Sequence, residues 1–343
     1  MAAPQDARLE DDAPPGGSAP PARPAPDAAA GAGSPSARTI WVDLLLYPTH
    51  SLPTALAPVL VGLGLAIRDD VFAPWPALVG FLGSWVIHVA GVFTDNHELL
   101  RRHPSLPEHP ELNQAIASGT LRLATLRAAV AACLALALLT VPYLQPIGGA
   151  PVLAFGAVGI VVSLSYNGGP WAYVRRGTAD GVFFLMFGVV AVIGTYYIQV
   201  AARHGAPSPW ALLASLPAPA FLVGLPAGAI VTAVMLIDDL RDREFDTAKG
   251  WRTFTVRLGA RFTASEITAL VAFAYVAPVL FWAGLGFGPS VLLPLLSLPL
   301  AYATVRAVRT APDRKALGPL TPRMARLALV HSALLATGLA LSP

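Results

Sequence analysis

Long apolar blocks separated by short polar connections run from about residue 49 to the end of the chain. Nine apolar stretches stand out, at 49–67, 76–94, 123–141, 150–166, 181–200, 218–237, 264–283, 288–306 and 324–341. Each approaches the roughly 20 apolar residues that a helix needs to cross a bilayer. The pattern predicts an all-α, polytopic membrane bundle over residues 39–343. Pro142, Pro146 and Pro151 blur the start of the fourth and shortest stretch. Glycine and proline recur inside the spans, as at Pro58, Gly62 and Gly64. Membrane helices tolerate them where neighbours repair the backbone bonds and small residues allow close approach. Residues 1–38 carry no hydrophobic period and are rich in Ala, Pro and Gly, with Asp6, Glu10, Asp11 and Asp12 among them. Such a segment cannot bury enough apolar surface to offset its ordering entropy, which predicts a disordered tail. It also lacks the basic start and apolar run of a signal peptide.

Composition agrees with the pattern. Of 343 residues, 55 % are hydrophobic and 13 % charged, and the mean hydropathy is +0.60. Soluble domains carry about 25 % charged residues, so an ordinary cytosolic enzyme is excluded. The net charge of +3 does not point to nucleic acid, because the basic residues are scattered between apolar runs. Their distribution is informative about topology instead. Arg101, Arg102 and Arg122 follow the second span, Arg175 and Arg176 the fourth, Arg241 to Arg261 the sixth, and Arg306 to Arg323 the eighth. The alternate connections hold only Arg68 and Arg203. Cytoplasmic connections are the basic ones, so the amino terminus is expected inside and the carboxyl terminus outside, with the plasma (inner) membrane as the location if the cell is bacterial. The single cysteine, Cys133, excludes a disulfide framework and multi-cysteine metal sites; it reads as packing.

One connection is chemically unusual. After the sixth span the chain runs Asp238-Asp239-Leu240-Arg241-Asp242-Arg243-Glu244-Phe245-Asp246. If the helix continues, Asp238, Asp242 and Asp246 stack on one face. Like charges at that spacing destabilise a helix, so a purely structural motive is weak; a solvated acidic loop is the plainer alternative. Carboxylates that share Mg²⁺ with substrate phosphates relieve the repulsion. Lys249, Arg252, Arg257 and Arg261 come shortly after. Carboxylates for a metal, then cations for phosphate oxygens, are what a diphosphate site at a membrane surface requires.

Three stretches together resemble the UbiA superfamily of intramembrane aromatic prenyltransferases, in its 1,4-dihydroxy-2-naphthoate polyprenyltransferase branch. The first is the acidic run with its trailing Arg257-Leu258-Gly259. The second is Ser165-Tyr166-Asn167-Gly168-Gly169-Pro170, continuing through Asp180-Gly181 to Gly194-Thr195-Tyr196-Tyr197-Ile198-Gln199. The third, weaker, is Pro48-Thr49-His50-Ser51-Leu52-Pro53. The resemblance implies a helical bundle around a lipid-open cavity, Mg²⁺, and transfer of a prenyl group from a prenyl diphosphate to an aromatic acceptor. It implies Asp95, Asp242 and Asp246 as catalytic residues, and Asp95, Glu98, Asp238, Asp239, Asp242 and Asp246 as metal ligands. Arg241, Lys249, Arg252 and Arg257 are the expected diphosphate contacts, and Tyr166, Tyr196 and Tyr197 the cavity aromatics.

The chain departs from the family pattern at several positions. Gly91 and Val92 stand where the first motif has Asn and Asp, leaving Asp95, with Asn96, His97 and Glu98 as replacement ligands. Gln114-Ala115 replaces Arg-Pro ahead of Ser118-Gly119. Asp238-Asp239 replaces an Asn pair, and Trp251 replaces a lysine beside Arg252. The depleted first motif keeps two other readings open: another acceptor, or cyclisation of a prenyl diphosphate without one. A transporter or non-catalytic relative is disfavoured, because transporters place charge at mid-membrane and here the charges lie at span ends. Asp180, just before the fifth span, reads as a helix cap.

Overall fold

The computed structural model describes residues 51–104 and 110–343, with Ser36, Arg38 and Trp41 as isolated positions and Pro110 and Glu111 by backbone alone. Most of the expected tail and the Pro48-Thr49-His50 half of the third motif lie outside the described residues. Among the described residues every regular element is helical.

The apolar blocks become α1 (Ser51–Arg68), α2 (Pro74–Arg102), α3 (Pro110–Ala117), α4 (Leu123–Leu138), α5 (Val141–Gly148) and α6 (Ala150–Ser165). Next come α7 (Ala179–His204), the short α8 (Pro209–Ala214), α9 (Ala218–Ala248), α10 (Phe254–Leu258) and α11 (Ala260–Gly284). The chain ends with α12 (Pro289–Thr310), α13 (Arg314–Leu317) and α14 (Leu320–Ala340). Six of these helices are long and apolar enough to cross a membrane, and seven if α4 and α5, bent by 41°, form one broken span. The bend falls at the proline-rich stretch around Pro142, where the missing N–H groups interrupt the helical ladder. The other two expected spans are helices of a different kind. α6 has only 16 residues, and α14 carries Arg323, Arg326 and His331 within its 21.

α9 forms the axis of the bundle, with 83 % of its apolar window buried against 28 % for α2. It is flanked by α11, α14 and the first half of α7; α1 lies between α7 and α14, and α2 packs on α4 and α6. Small residues set these distances. A Cβ added to Gly64 of α1 would sit 2.6 Å from the Ala336 Cα of α14, so only glycine allows that crossing.

Two features of the helices shape the interior of the bundle. α2 and α9 both run on beyond their apolar blocks, so the acidic stretches at 95–98 and 238–246 are helical rather than looped. α7 contains a π-helical turn at Met186–Val190, a distortion that often marks a functional wall. Met186, Phe187 and Val190 of this turn line the molecule's central cavity.

Candidate functional site

The cavity has a volume of about 520 Å³ and is lined by α1, α2, α4, α5, α6, α7 and α9. One face of α2 lines it from end to end: Pro76, Gly80, Ser84, His88, Val92 and Asp95 recur at three- to four-residue spacing. From Pro76 to Asp95 that face spans about 28 Å of helix, close to the thickness of a bilayer's hydrocarbon core. Phe81, Ile87, Phe155 and Ile160 make most of the wall apolar. Asp95 of α2 and Asp238 of α9 line it with Tyr166 and Tyr173. The cavity is thus a greasy channel with two carboxylates, from helices far apart in sequence, in its lining.

Each carboxylate is held in place. Asn167, buried in the loop after α6, donates from Nδ2 to Asp95 Oδ1 at 2.7 Å. Its own Oδ1 accepts from Arg175 Nε at 2.7 Å, and its backbone carbonyl accepts from the same guanidinium. The Arg175 carbonyl in turn accepts from the Arg252 backbone N–H at 3.0 Å, hooking this loop to the one after α9. Burial, then the charge of Arg102, lowers the Arg175 guanidinium from its ordinary value; arginine nevertheless keeps its charge in proteins. Burial and then the Asp95 carboxylate raise the Tyr173 phenol, which therefore stays a neutral donor.

On α9, Asp238 accepts from Thr321 Oγ1 at 2.8 Å and pairs with Arg241 Nη1 at 2.5 Å. Asp242 pairs with Arg241 at 2.6 Å and with Arg314 of α13 at 3.1 Å. Asp246 pairs with Lys249 at 2.9 Å. Interleaved cations thus answer the like-charge repulsion of the i, i+4, i+8 carboxylates. Arg314 also stacks over Phe245, at 4.7 Å from the ring centroid.

Several expected residues lie elsewhere. Glu98 does not line the cavity; Arg101 at 2.7 Å and Arg102 at 2.9 Å hold it, with His97 at 3.2 Å. Asn96 is buried and bonds back to the Val92 carbonyl within α2. Asp239 is buried on the next position round α9. Lys249 has a fully buried side chain, stacked 3.8 Å from the Trp251 ring centroid. Arg252 and Arg257 are exposed, and none of Arg241, Lys249, Arg252 and Arg257 reaches the cavity wall.

Of the three tyrosines, only Tyr166 faces the cavity. Tyr196 donates to Asp69, and Tyr197 to the carbonyls of Gly148 at 2.7 Å and Pro209 at 3.2 Å. Gln199 Oε1 accepts the Ala73 N–H at 2.7 Å, answering one of the open donors at the start of α2. The unusual Gly-Thr-Tyr-Tyr-x-Gln string therefore ties together the connections at the end of α7 remote from Asp180. Asp180 is no cap either: Thr178 occupies that position, and Asp180 Oδ2 is buried without a hydrogen bond. Asn167 and Arg175 are the site residues that sequence reasoning misses. Asn167 lies inside the second motif, where nothing marks it out, and Arg175 reads as a topology marker.

The family model for the UbiA prenyltransferase family matches residues 55–330. The chain belongs to that family. Among curated UbiA relatives, a 1,4-dihydroxy-2-naphthoate octaprenyltransferase of Mycobacterium leprae is 29 % identical, covering 84 % of this chain and 92 % of its own. The Escherichia coli protein of the same name is 26 % identical over 88 % and 95 %. Two solved UbiA homologues share the fold. One, from Aeropyrum pernix K1, gives a TM-score of 0.63 at 16 % identity, covering 82 % of this chain and 96 % of that one. The other, from Archaeoglobus fulgidus and bound to DMAPP and Mg²⁺, gives 0.52 at 16 % identity, with 85 % and 98 % covered.

The donor set at the UbiA cavity fits a magnesium ion. Among the described residues no three or more His, Cys, Asp or Glu side chains gather into a metal cage, so the six expected ligands do not form one cluster. Mg²⁺ does not need such a cage, because it commonly takes one or two carboxylates and completes its shell with phosphates and water. Asp95 and Asp238, hard oxygen donors on one cavity, supply that number.

The structure also gives a reason for one departure from the motif. A Cβ at Gly91 would lie 3.1 Å from both Cβ and the carbonyl oxygen of Ser163 on α6. The helices are too close at this level for the motif's Asn without a shift.

Proposed function

We propose that the protein transfers a prenyl group from a prenyl diphosphate to an aromatic acceptor, 1,4-dihydroxy-2-naphthoate or a related quinone precursor, with Mg²⁺. The observation that carries this reading is the single channel joining Asp95 and Asp238 to a bilayer-long apolar wall. A prenyl diphosphate has the same division into a charged head and a long hydrocarbon chain. The naming of the mycobacterial and E. coli relatives supports the acceptor, and the DMAPP- and Mg²⁺-bound homologue supports the donor and the ion.

In this reading Asp95 and Asp238 hold the ion, which when bound offsets charge on the departing diphosphate. Asn167 fixes the Asp95 carboxylate, and Arg175 adds positive charge behind it. Asp242 and Asp246 extend the acidic face along α9, where Arg241 and Arg314 exchange their Asp242 contacts for diphosphate oxygens when substrate binds. Tyr166 and Tyr173 present ring surface beside the carboxylates, where an aromatic face stabilises allylic cation character. The apolar wall excludes water that would otherwise capture the cation. In this reading this end of the channel is cytoplasmic, with the amino terminus inside and the carboxyl terminus outside, which the distribution of basic residues supports.

The test uses membranes containing the protein, Mg²⁺, a labelled prenyl diphosphate and 1,4-dihydroxy-2-naphthoate, with Asp95→Asn and Asp242→Ala as controls. The expected result is a prenylated naphthol that vanishes with EDTA, returns with Mg²⁺, and falls at least 100-fold in the Asp95 variant. Diphosphate release without that product would reject the acceptor. No release with any donor length would overturn the whole reading.

A further inference from the structure

His88 sits half-buried on the cavity-lining face of α2, two helical turns from Asp95. Its ring meets the Phe187 ring edge-on, with centroids 6.0 Å apart and planes at 79°. Phe187 belongs to the π-helical turn of α7, so a helix distortion positions the aromatic partner of this histidine. The channel wall is otherwise largely apolar, with Phe81, Ile87 and Phe155 among its lining.

Among the described residues lining the channel, the titratable groups are His88, Asp95, Tyr166, Tyr173 and Asp238. Four of them belong to the diphosphate end of the proposed reaction. His88 stands two helical turns along α2 from Asp95, and an imidazole is the side chain suited to accept a proton near neutrality. An ionisable group inside a membrane-spanning helix is costly to keep and calls for a functional account.

Depth supplies that account. The seven residues from His88 to Asp95 correspond to about 10 Å along the helix. With the diphosphate at Asp95 and Asp238, the reacting carbon lies just inside the channel and the acceptor ring beyond it. A hydroxyl on the far side of that ring then falls at the level of His88.

We infer that His88 is a catalytic residue of the acceptor site, binding the hydroxyl of the aromatic acceptor and taking its proton. This inference rests on the prenyl-transfer reading above. The C1–O bond of the prenyl diphosphate breaks, and its electron pair leaves with the diphosphate. An aromatic π pair of the acceptor forms the new C–C bond. The hydroxyl O–H bond breaks, its pair becomes the C=O of the dienone, and the proton passes to an imidazole nitrogen of His88.

The experiment compares wild type, His88→Phe and His88→Gln in membranes with 1,4-dihydroxy-2-naphthoate, Mg²⁺ and a labelled prenyl diphosphate. Phenylalanine keeps the ring packing against Phe187 and removes the nitrogen; glutamine keeps a hydrogen bond and cannot serve as the base. The expected result for His88→Phe is an acceptor KM raised at least tenfold and a lowered kcat. Its donor KM should stay within twofold, and so should its Tm within a few degrees. His88→Gln should recover acceptor KM and leave kcat low. An unchanged acceptor KM in His88→Phe, or full recovery of kcat by glutamine, would overturn the inference.

Failure of the prenyl-transfer reading shows itself separately, as a wild-type protein that makes no product. Quenching of tryptophan fluorescence by 1,4-dihydroxy-2-naphthoate then carries the test without turnover. Tenfold weaker binding to His88→Phe supports the acceptor site. Equal binding to both proteins, or none to either, rejects it.

Discussion

At the scale of single residues, the carboxylates are less telling than what holds them. Asp95 has its Oδ1 fixed by Asn167, and Asn167 is fixed by Arg175. This relay places the positive charge of Arg175 behind the Asp95 carboxylate. Asn167→Leu removes the hydrogen bond to Asp95 and the acceptor of Arg175 together. Hydrogen bonds to charged groups are worth about 1.5–3 kcal/mol, so a lower Tm is expected. The more specific consequence is a donor KM raised at least fivefold with acceptor KM unchanged, measured by initial rates. A lowered Tm with unaltered donor KM would make Asn167 a structural residue only. Lys249 illustrates the opposite case. Its side chain is fully buried against Asp246 and Trp251, so a lysine that reads in sequence as a phosphate ligand packs here into the turn after α9.

At the scale of elements, close helix crossings decide the cavity's shape. α1 meets α14 at Gly64, and α2 meets α6 at Gly91. Gly64→Ala places a Cβ against the Ala336 backbone, where overpacking typically costs about 1–3 kcal/mol. The expected outcome is a lower Tm in detergent with kcat per folded molecule nearly unchanged, because neither Gly64 nor Ala336 lines the channel. A variant as stable as wild type would show that the helices separate freely at this point. The far end of α7 obeys the same logic. Tyr196, Tyr197 and Gln199 anchor Asp69, Gly148, Pro209 and Ala73, and so hold closed the side of the bundle opposite the acidic motifs.

At the scale of the whole molecule, the basic connections and the acidic face share one side by sequence order. The proposed orientation makes a direct prediction. In a Cys133→Ala background, Ser118→Cys should react in intact cells only with permeant maleimide. His204→Cys should react with the impermeant reagent as well. Both positions are exposed in the structure. The reverse labelling pattern would invert the topology and move the proposed diphosphate site to the outer face.

Much of this is legible in the chain itself. Hydropathy marks the apolar cores of the long helices, because membrane helices must satisfy their backbones internally and announce themselves by composition; it does not mark the polar ends on which α2 and α9 continue to Arg102 and Ala248. The i, i+4, i+8 carboxylates mark the acidic face of α9, since helical periodicity alone puts them together. Only the tertiary structure decided that Asp95 and Asp238 share a channel, that Asn167 and Arg175 stand behind one of them, and that Tyr196 and Tyr197 point away. It alone turned His88 toward the lumen and Lys249 into the turn. The physical reason is that local pattern fixes which residues share a helix face. Which faces meet is set by long-range packing of small residues, summed over the whole bundle.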